Sequence, residues 1–373
     1  MASVGGWDVI VIGAGPAGSV SAMQLARAGH SVLLIDKSAF PRGKVCGSCL
    51  HPRGVALLGS FGLGDEPLVR DAPLMTDVEL LCGGARARLA LPGGRVIARR
   101  DLDERLIREA VSSGAEFFSG AAARIGALKD GFREVHVGAS IEHALCVLDA
   151  AGLGSRLVAP VKSNRFLRAR LGAGHVYESG ARDLGVGTVR MFCGEGGYVG
   201  LVRLGSGETD AAAALDPELV KNSGGVWQAA CEIVRSCGAD ADEVIPQAAW
   251  RGAPLLSQAP QTIAAERVFA IGDAAGYAEP FTGEGMTWAM ESAIEVMPFA
   301  EAAVARWDDS LAVKWNRSHA QTRRQRERLC RATRLLLRSP LMTRAAMQLI
   351  NSFPRPAHSL IDALQAGGAL QTR

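Results

Sequence analysis

The stretch DVIVIGAGPAG, residues 8–18, constrains the fold more than any other. Val9 to Ile12 is a short apolar run of the kind that forms a fully buried parallel strand. Gly13, Gly15 and Gly18 follow at G-x-G-x-x-G spacing. The first glycine permits a tight turn, the second lets the backbone approach a pyrophosphate, and the third lets the next helix pack close to the strand. That helix is predicted over residues 17–28, with its amides and positive dipole end aimed at the phosphates. Gly29 is placed to end it. A second strand is predicted over residues 31–35, closed by Asp36, which suits a ribose 2′-hydroxyl and opposes a 2′-phosphate. Strand, turn, helix, strand and acid in this order predict a dinucleotide-binding βαβ unit, and not one for NADP.

Three further stretches extend the site. IARRDLDERLIREA, residues 97–110, reads as a helix capped by Asp101, with Leu102, Leu106 and Ile107 inward. Arg99 and Arg100 precede it, and Arg100 is taken as a contact to an anionic cofactor. ALCVLDAAGLGSR, residues 144–156, reads as a strand closed by Asp149 and a glycine-rich turn, a second contact at the carboxyl ends of parallel strands. VFAIGDAAGYAEPFTGEGM, residues 268–286, closes the site from the far end of the chain, with a helix starting near Gly285.

The 373 residues suffice for a large core and more than one subdomain. No uncharged run reaches membrane-spanning length, and the start, MASVGGWD, has no basic leader-like stretch, so a cytoplasmic protein is expected. Eight cysteines scattered along such a chain read as thiols, not a disulfide framework.

Taken together the motifs resemble those of the large FAD-dependent family that holds geranylgeranyl reductases, aromatic hydroxylases and flavin halogenases. Its dinucleotide turn, an internal motif (DAAGLGSR, with Ala150 where glycine is usual) and its GD motif (GDAAGYAEP) are all present. The resemblance implies an α/β fold: a Rossmann-like FAD-binding domain, an inserted antiparallel-sheet substrate domain and a helical C-terminal region. Expected boundaries are 1–71, 96–160 and 262–305 for the first, 72–95 and 161–261 for the second, and 306–373 for the third. FAD would be held by Gly13, Gly15, Pro16, Ala17, Gly18, Asp36, Lys37, Arg42, Cys46, Gly47, Arg100, Asp149, Gly272, Asp273, Pro280, Gly283, Gly285 and Met286. Asp273 would serve the ribityl chain or its phosphate neighbourhood, Pro280 would flank the flavin ring, and amides of residues 283–286 would face the pyrimidine end, where negative charge develops.

The loop FPRGKVCGSCLHPRG, residues 40–54, bears on the chemistry. It is basic and carries Cys46-Gly47, similar to the geranylgeranyl reductase pattern. The Gly-Glu-Ser type segment and the W-x-W-x-I-P signature of halogenases are both missing. Cys46 and Cys49 form C-x-x-C, but with only His51 nearby as a further ligand no metal is expected. Cys46, Tyr198 and Glu284 are the candidate catalytic residues, with Glu284 equally readable as a solvated loop residue and Tyr198 as a structural tyrosine. The family's Y-x-W-x-F-P segment corresponds here to YVGLVR, residues 198–203, which keeps only the tyrosine, so the cavity is enlarged or reshaped and a prenyl chain is in doubt.

The reaction stays open between geranylgeranyl reductase-like hydride transfer to or from a carbon–carbon bond and oxygenation through a C4a-hydroperoxide, with a non-catalytic flavoprotein scaffold as a third reading. An apolar small molecule is the expected substrate, and NAD(P)H or a separate protein the electron donor. Residues 315–344 hold nine arginines and one acid, Glu327, interleaved with leucines. They read as a solvated helix face, or as attraction to an acidic carrier protein or a peripheral membrane surface. Without interleaved aromatics, nucleic acid is not expected as a partner.

Overall fold

The computed structural model describes residues 6–158, 161–162, 169–178, 183–279, 281 and 283–353. The strand Trp7–Ile12 lies at the centre of a sheet, paired in parallel with Val32–Asp36 on one side and Ser140–Asp149 on the other. Glu116–Ser119 and Val268–Ala270 extend it outward, also in parallel. Their side chains are apolar on both faces because helices cover one side and a small antiparallel extension, Ala123–Lys129 and Phe132–Val137, continues from the other.

The register decides where the site forms. Ile12 is level with both Ile35 and Asp149, and Asp149 with Ala270. Four chain segments therefore leave the sheet along one carboxyl edge, the place where open α/β sheets bind ligands. The helix Pro16–Arg27 is buried along most of its length, between Arg99–Ser112 and Gly285–Ala305. Trp315, on the helix Asp309–Leu336, is fully buried and donates its indole N–H to the Ala270 carbonyl at 3.1 Å, which fixes the C-terminal helices to the sheet.

A second sheet of seven strands runs Arg251–Leu255, Leu171–Tyr177, Thr209–Leu215, Gly197–Arg203, Thr188–Gly194, Asp77–Cys82, Ala85–Ala90. The antiparallel sheet expected here is present, with one parallel junction: Thr188–Gly194 pairs in parallel with Asp77–Cys82. The two pieces enter the sheet from separate excursions of the chain, so no hairpin dictates their direction. One face is covered by the amphipathic helix Val226–Ser236. The other faces the cofactor edge, and there the strand Thr209–Leu215 presents alanines in place of bulky side chains. The helix expected to be capped by Asp101 begins three residues earlier, with Ala98 at its cap and Asp101 in its first turn, where an acid still complements the dipole.

Candidate functional site

The cofactor-side cleft is about 370 Å³ and is lined by Gly13, Gly15, Pro16, Ala17 and Asp36 at one end and Asp273, Gly283, Gly285 and Met286 at the other. The glycines differ in what they do. Gly13 has φ +108°, and a Cβ there would lie 2.2 Å from the Ala150 carbonyl oxygen. At Gly18 a Cβ would lie 1.8 Å from the Gly13 oxygen, so this residue stands behind the cleft wall and allows the helix to touch the turn. Gly15 is open to the cleft: its nearest neighbour would be Arg99 Nη2 at 3.7 Å. Asp36 accepts the amides of Ala14 and Ser38, both at 2.9 Å, which draws the acid against the glycine turn.

Four cations line this cleft, Arg42, Lys44, Arg99 and Arg251, and the first three bear on one another's charge. Burial pushes the Lys44 pKa down, and Arg99 and Arg42 push it further, against a weaker pull from Asp273 and Asp103. Burial also works against the charge of Arg99, but Asp103 overcomes it through a two-pronged pair at 2.8 Å and moves its pKa up. A cation cluster that repels itself beside an open glycine backbone is what a pyrophosphate relieves. The residues present therefore fit the diphosphate of FAD.

Arg100 must be corrected. It turns outward and pairs with Asp101 at 2.9 Å, while Arg99, one position earlier, faces the cleft with its carboxylate partner one helical turn on. Lys37 is likewise exposed and lines no part of the cleft. Asp149 is held back from it as well, because its carboxylate accepts the Ala151 amide at 3.0 Å and the Ser155 hydroxyl at 2.7 Å and so braces its own turn. Burial raises its pKa, and these two bonds lower it in part. Gly272 lies behind Asp273, its amide donating to Ser292 Oγ at 3.0 Å. Asp273 does face the cleft, its pKa raised by burial against the pull of Lys44 and Arg99. Pro280 lies outside the described residues.

Beside the cleft lies a chamber of about 350 Å³ whose wall is mostly aliphatic. Gly200, Ala212, Ala214 and Gly172 leave its volume free, and Val78, Leu80, Leu89 and Met191 close it. Gly200 stands where the resembling family has tryptophan, and a Cβ there would already meet Met191 Sδ at 2.8 Å. Cleft and chamber share Val45, Cys46, Gly47, Leu256, Tyr277 and Gly283.

The candidate catalytic residues part company here. Cys46 is on the shared wall, its thiol kept protonated by burial despite the neighbouring Arg99. Cys49 lines the chamber, and burial moves its pKa up further. All eight cysteines are free thiols. Tyr198 lines the chamber, edge-on to Phe281 at 5.0 Å between ring centres, with the Arg170 guanidinium 5.5 Å from its ring centre. Burial and the nearby Glu279 carboxylate raise its pKa well above the ordinary value. Glu284 is neither solvated nor at a cavity: it is buried at the cap of the Gly285–Ala305 helix, where Arg53 binds it at 3.0 Å and also reaches Glu291 at 3.6 Å.

Two functional features were missed by sequence reasoning. Lys44 lay in the basic loop without being singled out for the cleft. Asp210 carried no motif at all, yet it is buried beneath the loop and accepts a hydrogen bond from the Ser48 hydroxyl. Ser48 itself has φ +51° and its carbonyl accepts the Ile97 amide at 2.8 Å, so the loop carrying Cys46 and Gly47 is pinned from both sides. Burial pushes the Asp210 pKa up to about 7, with the Ser48 bond working the other way. Since the folded-state pKa lies above that of an unfolded aspartate, this group favours folding most below about pH 4 and loses that contribution as pH rises to about 7. Replacing it by Asn should therefore raise denaturant stability relative to wild type at pH 8 and leave little difference at pH 4, an effect on the order of 2–4 kcal/mol. Equal differences at both pH values would contradict this.

The comparisons with known proteins agree with the cleft. The FAD binding domain family matches residues 6–139. A menaquinone reductase of Mycobacterium tuberculosis is 41% identical over 122 residues, a match spanning 31% of this chain and 29% of that protein. The chain thus aligns with less than a third of the length of that relative. Digeranylgeranylglycerophospholipid reductase 1 of Methanothermobacter thermautotrophicus is 28% identical over 351 residues, covering 87% of this chain and 82% of that one. Among solved structures, a flavin-dependent brominase superposes with a TM-score of 0.76 at 18% identity, over 96% of this chain and 94% of its own. A myxobacterial chondrochloren halogenase superposes with a TM-score of 0.75 at 19% identity, over 98% of both chains. At such identities the superpositions establish the fold. The cleft and the matched FAD binding domain together make this chain an FAD-dependent oxidoreductase, similar in fold to the flavin-dependent halogenases.

Proposed function

We propose that the chain carries out two-electron redox chemistry on an apolar small molecule seated in the sheet chamber. The observation that carries this reading is the shared wall: Cys46, Gly47 and Gly283 border both the cofactor cleft and an aliphatic chamber. Bound FAD supplies the electrons, either as hydride to carbon or to activate dioxygen. The chain's own work is to hold the anionic cofactor through Arg42, Lys44 and Arg99, to exclude water with the aliphatic wall, and to orient the substrate against Tyr198 and Phe281. Electrons come from NAD(P)H docking transiently or from a separate donor protein.

Oxygen transfer asks least of the chamber. Saturating a carbon–carbon double bond needs a wall group to deliver a proton to the second carbon, and burial holds the protons firmly on Cys46, Tyr198 and Tyr277. Saturation is the second reading, favoured by the position of Cys46 and Tyr277: these proton-bearing side chains lie on the wall shared with the cofactor, and the relatives quoted above are named reductases.

The FAD-loaded protein, reduced anaerobically and mixed with a panel of apolar alkenes, tests both readings. Product carrying one atom from labelled dioxygen, formed only after oxygen is admitted, supports oxygen transfer. A saturated product formed without oxygen rejects that reading and supports the second. If apolar ligands neither bind nor react, the chamber is not the substrate site and both fall.

A further inference from the structure

The outer face of the last described helix, Pro340–Ser352, is apolar and is left exposed by the described residues. Its inner face packs on Ala85–Ala90 and Asp77–Cys82, with Thr343 and Met347 buried. Its outer face carries Leu341, Met342 and Leu349, followed by Phe353, between 55% and 71% exposed. These positions recur at the spacing of one helix face. A soluble monomer rarely clusters so many large apolar side chains in one exposed patch.

The preceding helix, Asp309–Leu336, supplies the second half of the pattern. Arg317, Arg324, Arg328 and Arg331 are exposed at helical spacing, and the same stripe ends in Leu335, 58% exposed. Among the described side chains no carboxylate pairs with these four arginines. An amphipathic apolar face next to a row of arginines is the pattern of a helix lying in the headgroup layer of an anionic membrane, where both attractions act together. No helix among the described residues is long and apolar enough to cross a membrane, so the contact is with the surface.

Position links this face to the chamber. Met347 and Ile350 belong to the same apolar cluster as Val78, Leu80, Met191 and Phe281, which line the chamber. The helix therefore lies on the sheet face that encloses the substrate volume.

We propose that residues 317–353 seat the protein on an anionic lipid surface, with Leu341, Met342, Leu349 and Phe353 entering the acyl boundary and the arginine row binding headgroups. The seating brings the chamber beside a phase in which apolar substrates are concentrated. It depends on no particular reaction, and its test requires no turnover.

The test is sedimentation of the full FAD-loaded chain with vesicles of phosphatidylcholine alone or mixed equally with phosphatidylglycerol. Retention on the anionic vesicles, weakened by salt, is expected. R324E/R328E/R331E should lower the partition on the order of a hundredfold, and L341E/L349E by at least about tenfold. Val186→Glu, at a side chain 65% exposed elsewhere on the surface, should change nothing. Equal binding to both vesicle types, no binding to either, or indifference to L341E/L349E overturns the proposal. So does a self-association in sedimentation velocity that L341E/L349E abolishes while vesicles are ignored, which would assign the face to a second copy of the chain.

Discussion

Gly18→Ala is expected to cost the protein its FAD, and Gly29→Ala to leave it in place. Gly18 lies in the first turn of the helix Pro16–Arg27 and Gly29 just past its end, and they test opposite things. Gly29 has φ +90° with nothing within 4 Å of a would-be Cβ, so alanine there meets only the backbone penalty of the left-handed region, about 1–2 kcal/mol. Gly18 lacks that conformational demand but has no room: the added carbon would fall 1.8 Å from the Gly13 oxygen. The helix must then move off the turn that presents Gly13 and Gly15, with a loss on the order of 2–3 kcal/mol in stability and a far larger loss in cofactor retention. Flavin absorbance after gel filtration, beside a thermal melt of the apoprotein, separates the two effects. A G18A protein that keeps its flavin would show that helix contact is not what shapes the cleft.

Removing Arg170 should be the most damaging single change in the substrate half. The side chain is fully buried and binds Glu279 and Asp216, each at 3.2 Å. Arg170→Met strands the Glu279 carboxylate, itself buried at the chamber wall, and should cost about 3–5 kcal/mol. The paired change R170M/E279L removes both charges and should recover much of that loss, because a buried ion pair is often no better than the apolar side chains that replace it. Chemical denaturation of the two variants measures the difference. If the double variant is as unstable as the single one, the damage comes from lost packing around Tyr198, not from an abandoned charge.

The cofactor half was largely legible because its determinants are local. Strand, turn, helix and acid lie between Asp8 and Asp36, and each residue's role follows from its neighbours in sequence. Where the determinants are distant, the reading fails by small but decisive amounts. Arg99 and Arg100 differ by one position, about 100° around a helix, and Asp103, beside Leu102 and Leu106 on the buried stripe, is the clue that Arg99 faces inward. Glu284 read equally as an acid near the flavin ring and as a solvated loop residue, because its partner Arg53 lies far back in the chain. In the substrate sheet the alternation of strands was visible, but the parallel pairing of Asp77–Cys82 with Thr188–Gly194 was not, since no turn joins them. Asp210 escaped notice for the same reason: an aspartate opening a run of alanines looks like a strand end until Ser48 is placed above it.

The alignment of Ile12, Ile35, Asp149 and Ala270 along one sheet edge has a consequence for synthesis of the protein. The cleft draws its first wall from Gly13 and its last from Ala289, and the chamber needs Phe281 as well as Val78. A growing chain on the ribosome holds the turn for the cofactor long before it holds the wall that retains it. A complete FAD site therefore exists only late in assembly, after most of the sheet has formed, and flavin that binds there stabilises the folded chain by mass action.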